Sequence, residues 1–127
     1  MKIIDICVVV FLSLAVLSKL ADVLTTLRYV CADTESNPLG QWLMRRFGMQ
    51  ATCWGIFVIE LIIAFMIGLI SMLWDNTFIK IFVSVEGVIL TAFHLSAGYY
   101  NMYRRQNVFV RIGLWLNSQL ARVFRKL

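Results

Sequence analysis

Three carboxylates, Asp22, Glu60 and Glu86, stand inside stretches that are otherwise apolar. An ionised side chain at mid-bilayer costs about 2.5 to 3.5 kcal/mol on insertion scales, so such residues face protein or water and often mark ion or proton paths. Lys19 precedes Asp22 by three positions, within ion-pair reach on one helix face. His94, the single histidine, lies in the third apolar stretch and Asn101 just after it, and Glu35 and Asn37 lie in the connection after the first. Two chemistries follow: carrying an ion or proton past these groups, or holding a divalent ion on Asp22 and Glu35 for work on lipid phosphates. The plainer alternatives are a structural Lys19–Asp22 pair, a packing histidine at His94 and a helix cap at Asn37.

Familiar catalytic grammar is missing. The chain has no H-E-x-x-H, no paired histidines, no G-x-S-x-G and no glycine-rich phosphate loop, so the balance leans away from an enzyme. Asn37-Pro38-Leu39-Gly40 is only superficially like intramembrane-protease motifs. Cys7, Cys31 and Cys53 are scattered, without the pairing of a disulfide framework or the partners of a zinc site, and are read as small apolar packing residues. No cofactor is implied.

The elements that must position these residues are membrane helices. Of 127 residues, 61% are hydrophobic and 15% charged, more apolar surface than one soluble domain of this length hides. Apolar stretches run from Ile3 to Leu24, Ala51 to Trp74 and Phe78 to Tyr100. Each matches the roughly 20 residues that cross about 30 Å of hydrocarbon. A cleaved signal peptide fits the first stretch poorly, since Asp5 sits beside Lys2, no A-x-A site follows and the apolar run continues. The expected architecture is all-α: a transmembrane three-helix domain over residues 1–107, with spans near 3–30, 51–74 and 78–103. Residues 108–127 follow it as a basic amphipathic helix.

Asn37 before Pro38 is the pattern of an N-cap and first helical residue, so a short interfacial helix is expected from Pro38 to near Gly48. After Asn107, Phe109, Ile112, Leu116, Leu120, Val123 and Leu127 recur every three or four positions, with Arg111, Ser118, Arg122 and Arg125 on the other side. Arg104, Arg105, Arg111, Arg122, Arg125 and Lys126 concentrate the net charge of +5 at this end. Such clusters stay in the cytoplasm, which places the amino terminus outside. The tail is read as lying on anionic lipid of the inner leaflet or docking a partner; nucleic-acid binding is the weaker account.

At 100° per residue, Ser18, Lys19, Asp22, Thr25, Thr26 and Tyr29 of span one fall within roughly 120°. Cys53, Glu60, Ala64, Gly68 and Ser71 of span two fall within about 80°, and Glu86, Gly87, Thr91, His94, Ala97, Gly98 and Asn101 of span three within about 140°. The three stripes are expected to face one another. Counting depth at about 1.5 Å per residue puts Glu60 near the middle, Glu86 in the outer half, and Asp22, His94 and Asn101 in the cytoplasmic third. The expectation is a pocket opening inward, lined by Lys19, Asp22, Thr26, Glu35, Asn37, His94 and Asn101.

With Asp22-Val-Leu-Thr25-Thr26, then Glu35-Ser-Asn37-Pro38-Leu39 and later Tyr100-Asn101, the chain resembles a family of small prokaryotic three-span membrane proteins of unknown function. The similarity covers most of the three spans. It implies a shared cytoplasmic-side cluster of Asp22, Thr26, Glu35, Asn37 and Asn101, and no reaction. The chain departs from the family in Glu60, where a lysine is usual, and in its basic tail.

The leading expectation is a small polytopic membrane protein that self-associates, or joins a partner, around its polar stripes to move an ion or small solute or to permeabilise the membrane. Size, three spans and a basic tail also resemble phage holins, so a lytic pore is one form of this. The alternatives are a non-conducting scaffold recruiting a cytoplasmic partner through its tail, and the divalent-ion enzyme.

Overall fold

The structure is a computed structural model that describes residues 2–124. Five helices and no strand occur among the described residues: α1 (Ile3–Tyr29), α2 (Pro38–Phe47), α3 (Met49–Leu73), α4 (Thr77–Tyr103) and α5 (Val108–Phe124). The fold is an all-helical bundle, and α1, α3 and α4 are long and apolar enough to cross a membrane. At 1.5 Å per residue, 25 to 27 residues reach about 37 to 40 Å. The observed bounds lie within two residues of the expected spans at every end.

Local chemistry sets the ends of these helices. Asn37 Oδ1 accepts from the backbone N–H of Leu39 at 3.0 Å and Gly40 at 3.3 Å, and Pro38 takes the first position, where its missing N–H costs nothing. α2 ends at Gly48, whose φ of 85° lies in a region that side chains avoid, so the chain turns into α3 within this one residue. Asn76 caps α4 in the same way, accepting from Phe78 and Ile79.

The spanning helices meet through small residues. α1 is central and packs most extensively on α4, less on α3. At Gly87 a Cβ would lie 2.9 Å from the Phe11 backbone, so only glycine permits this approach. Away from these seams the surface is apolar, with Phe65 68% and Leu73 77% exposed. Such a surface suits hydrocarbon, not water.

The two ends of the bundle differ. At the end holding the α1 N-terminus, the Lys80 ammonium bonds Asp5 at 2.7 Å and Asp75 at 2.9 Å, and Lys2 reaches Asp75 at 2.8 Å. This chain of two acids and two bases staples α1 to α4 and to the α3–α4 turn. At the opposite, tail end, Val23, Met44 and Cys53 form a buried core with Leu27, Ala32, Met49 and Phe57 packed around it. Met44 belongs to α2, so that core seats α2 as a cap over α1 and α3.

α5 touches α4 and α2. Phe109 meets Phe93 edge to face at 5.3 Å, while Val110 and Ala121 are buried. The large apolar residues Ile112, Trp115, Leu116, Leu120 and Val123 point away from the bundle. Leu127, part of the expected apolar stripe, and Arg125 and Lys126 of the basic cluster lie outside the described residues.

A candidate polar site at the tail end of the bundle

Four helices and the α1–α2 connection surround a half-open cavity of about 140 Å³, where Lys19, Asp22, Thr26, Glu35, Asn37, Thr52 and Asn101 meet an apolar wall that includes Val23, Met44 and Ile56. Each wall has a local cause. Lys19, Asp22 and Thr26 recur at three and four positions and share one face of α1. Asn101 comes one turn after Ala97, which also lines the cavity from α4. Glu35 is held from the connection, its Oε1 accepting the Asn37 backbone N–H at 2.7 Å. Gly40 leaves room beside it, since a Cβ there would touch both the Asn37 and Glu35 side chains at 3.5 Å.

One network ties α1 to α4. Lys19 Nζ donates to Asp22 Oδ2 at 2.9 Å. Asn101 Nδ2 donates to Thr26 Oγ1 at 2.8 Å and, more weakly, to Asp22 Oδ1 at 3.3 Å and Thr25 Oγ1 at 3.4 Å. Asp22 therefore has the Lys19 ammonium as its counter-charge. Desolvation holds the Glu35 carboxyl above its ordinary range, opposed by the Asn37 N–H and reinforced by the Asp22 charge. The cavity is thus neutral when Glu35 is protonated and carries one negative charge when it ionises. It favours a cation or a hydrogen-bond donor over an anion.

The Thr52 hydroxyl, on a residue only 6% exposed, has no hydrogen-bond partner among the described residues. A buried hydroxyl left unpaired costs about 1 to 3 kcal/mol. It lines the cavity, so a bound water or solute is its natural partner. Thr52 escaped the sequence reading because the second stripe was drawn through its neighbour Cys53. A hydroxyl near the start of a membrane helix was the signal available.

His94 differs from expectation. It does not line the cavity but lies one helical turn below Ala97, where Nδ1 meets Ala15 O at 3.2 Å and Ser18 Oγ at 3.3 Å. Its Nε2 stands 3.1 Å from Glu60 Oε1. That contact is off the N–H axis, so Oε1 is buried without an aligned hydrogen bond. Glu60 and His94 thus form a pair beneath the cavity floor. Glu86 joins neither group: it is half-buried on α4 and has no hydrogen bond or ion pair among the described residues.

Of the basic residues, Arg104 reaches Tyr29 O at 3.3 Å and lies over the Tyr100 ring, and Arg105, Arg111 and Arg122 are exposed. The staple of Asp5, Asp75 and Lys80 was missed because Asp5 was weighed only against a signal peptide, and a pair 75 positions apart leaves no local pattern. A larger groove of about 610 Å³ between α1 and α3 is apolar, lined by residues such as Leu12, Val16, Leu61 and Phe65. It offers no group for chemistry beyond the Ser13 hydroxyl.

No family model, no curated protein and no solved structure matches this chain. Its function is therefore argued from the site itself. Among the described residues no three His, Cys, Asp or Glu side chains are grouped so as to hold a metal ion.

Proposed function

We propose that this multi-pass membrane protein takes a small cation or hydrogen-bond-donating solute into the tail-end cavity and moves it across the bilayer, in a path completed by self-association. The carrying observation is the half-open cavity with its cluster of polar side chains, a Thr52 hydroxyl unpartnered among the described residues and a net charge of zero or minus one. Self-association is supported by Glu86, half-buried in the membrane region without a partner among the described residues, and by the small volume that three spans enclose. In this reading the amino terminus is outside. In the sequence, the connection after α1 and the carboxyl-terminal segment together carry about eight Lys or Arg against two near the α1 N-terminus and the α3–α4 turn, which supports a cytoplasmic α5 against anionic lipid.

The test is flux of sodium, potassium and ammonium into proteoliposomes, with oligomeric state measured in lipid nanodiscs. Wild-type protein should admit at least one of these ions, and Thr52→Val, which keeps the side-chain shape, should slow it about tenfold, the equivalent of one lost hydrogen bond of about 1.4 kcal/mol. A helical monomer without flux of any of the three would refute the proposal.

A second reading, a non-conducting scaffold, is favoured by the outward-facing Ile112, Trp115 and Leu116 of α5 beside Arg111 and Arg122. Deleting α5 separates the two. The scaffold reading requires flux to be absent with or without α5, and the transport reading requires flux to survive the deletion.

A further inference from the structure

The hydrogen bonds around His94 fix where its proton sits. The Ser18 hydroxyl donates its only proton to Ala15 O at 2.8 Å. Toward His94 Nδ1 at 3.3 Å, Ser18 Oγ can therefore only accept, and Ala15 O at 3.2 Å can only accept as well. Both contacts require Nδ1 to carry a proton. The other nitrogen, Nε2, faces Glu60 Oε1 at 3.1 Å. Two ionisable groups then stand in contact and hold one proton as a pair, either as neutral imidazole and carboxylic acid or as imidazolium and carboxylate. Both forms have zero net charge, which suits burial in a membrane span.

The surroundings isolate this proton. The charges acting on the pair from α1 are Lys19 and Asp22, which neutralise one another at 2.9 Å. On α4 itself Glu86 is two turns away, about 12 Å along the helix. The pair is close to the cavity: Glu60 stands one turn beyond Ile56 and His94 one turn before Ala97, and Ile56 and Ala97 both line it. One turn is about 5.4 Å.

We infer that Glu60 and His94 form a single-proton site that exchanges its proton for the cation entering the cavity, making the protein a proton-coupled exchanger. The balance is one for one. A cation enters, the shared proton leaves to water, and the remaining carboxylate with neutral His94 supplies the negative charge that holds the cation. Return of a proton from water restores the neutral pair and releases the cation. Ser18 is a positioning residue, because it fixes the tautomer without touching the exchanged proton.

This inference rests on the transport reading for its coupling but not for the site, and the experiment separates them. The single histidine makes all ring signals in histidine-labelled protein those of His94. Nitrogen-15 solid-state NMR in lipid bilayers at neutral pH should show a protonated Nδ1, with an Nε2 signal that shifts in Glu60→Gln. A ring protonated only on Nε2, or spectra identical in wild type and Glu60→Gln, would overturn the site whatever the flux assay gives. Proteoliposomes holding a pH dye then test the coupling. An imposed sodium, potassium or ammonium gradient should drive opposite proton movement in wild type, and Glu60→Gln should reduce it at least tenfold. Equal proton movement in the two proteins would overturn the coupling while leaving the NMR result to stand. Ser18→Ala keeps both titrating groups and the Ala15 carbonyl, and should raise the Nε2–H population without abolishing exchange; an unchanged ring tautomer would overturn Ser18's positioning role. Circular dichroism on each variant establishes that the bundle is folded.

Discussion

Replacing Gly87 with alanine tests the seam on which the bundle is built. The added Cβ would stand 2.9 Å from the carbonyl carbon and oxygen of Phe11 and 3.0 Å from its Cβ, where ordinary contact begins near 3.4 Å. Two of those atoms are backbone, so no rotamer change relieves the clash, and α1 and α4 must part by about 0.5 Å, a gap that forfeits roughly a quarter of the attraction of each contact it opens. Over-packing of this kind costs about 1 to 3 kcal/mol. Alanine also gains about 0.8 to 1.0 kcal/mol of helix propensity over glycine, which would mask part of the loss. Gly55→Ala supplies the correction, because nothing lies within 4 Å of a Cβ built at Gly55. The difference between the two variants isolates the seam. Gly87→Ala should unfold more readily than Gly55→Ala by about 1 to 3 kcal/mol, roughly 5- to 150-fold in the unfolding constant. The assay is far-ultraviolet circular dichroism during SDS titration of protein in mixed micelles. Gly87→Ala as stable as Gly55→Ala, or more stable, would refute the close packing of α1 on α4 and with it the Asn101–Thr26 and His94–Ala15 contacts that cross that seam.

Three further predictions concern groups outside the spans. Hydrogen bonds from Lys2 and then Lys80 lower the Asp75 carboxyl from 3.8 to about 2, so its stabilisation is complete above pH 3.8 and is lost as pH falls toward 2. SDS titrations across that range should show a steeper loss in wild type than in Asp75→Asn, and parallel curves would count against the staple. Glu35 moves the other way: desolvation raises its pKa above 4.5, so the folded state holds the proton longer than the unfolded one and stability falls as pH rises from 4.5 through the raised value. Glu35→Gln should flatten that slope, and an unchanged slope would place the carboxyl in water. Cys31 is exposed, and hydrogen bonds from Thr34 lower its thiol pKa, so it should react quickly with maleimides, and more slowly in Thr34→Val. In a background lacking Cys7 and Cys53, an impermeant maleimide should label Cys31 only after the cytoplasmic face is opened; labelling of intact cells would reverse the proposed orientation.

Much of the fold was legible because its causes are local. Twenty or more apolar residues in a row demand a helix in a membrane, where every backbone group must be paired within the segment. Asn37-Pro38 starts α2 and Gly48 ends it by backbone geometry that needs no distant partner. Helical periodicity also put Lys19, Asp22 and Thr26 on one face of α1, and Asn101 in register with the other polar residues of α4. Periodicity gives a direction around each helix but not the rotation of one helix against another. The tertiary structure decided that Asn101 meets Thr26 and Asp22, that His94 turns away from the cavity toward Ala15 and Glu60, and that Glu86 stands apart. It also joined Asp5 to Lys80, 75 positions away, and left Thr52 facing the cavity without a partner. The sequence by itself determined that charges must be hidden from hydrocarbon, since that cost belongs to each residue alone. Which charge hides with which depends on the close approach at Gly87 and Gly98 and on the seating of α2 at Met44, contacts between segments far apart in the chain that no local pattern specifies.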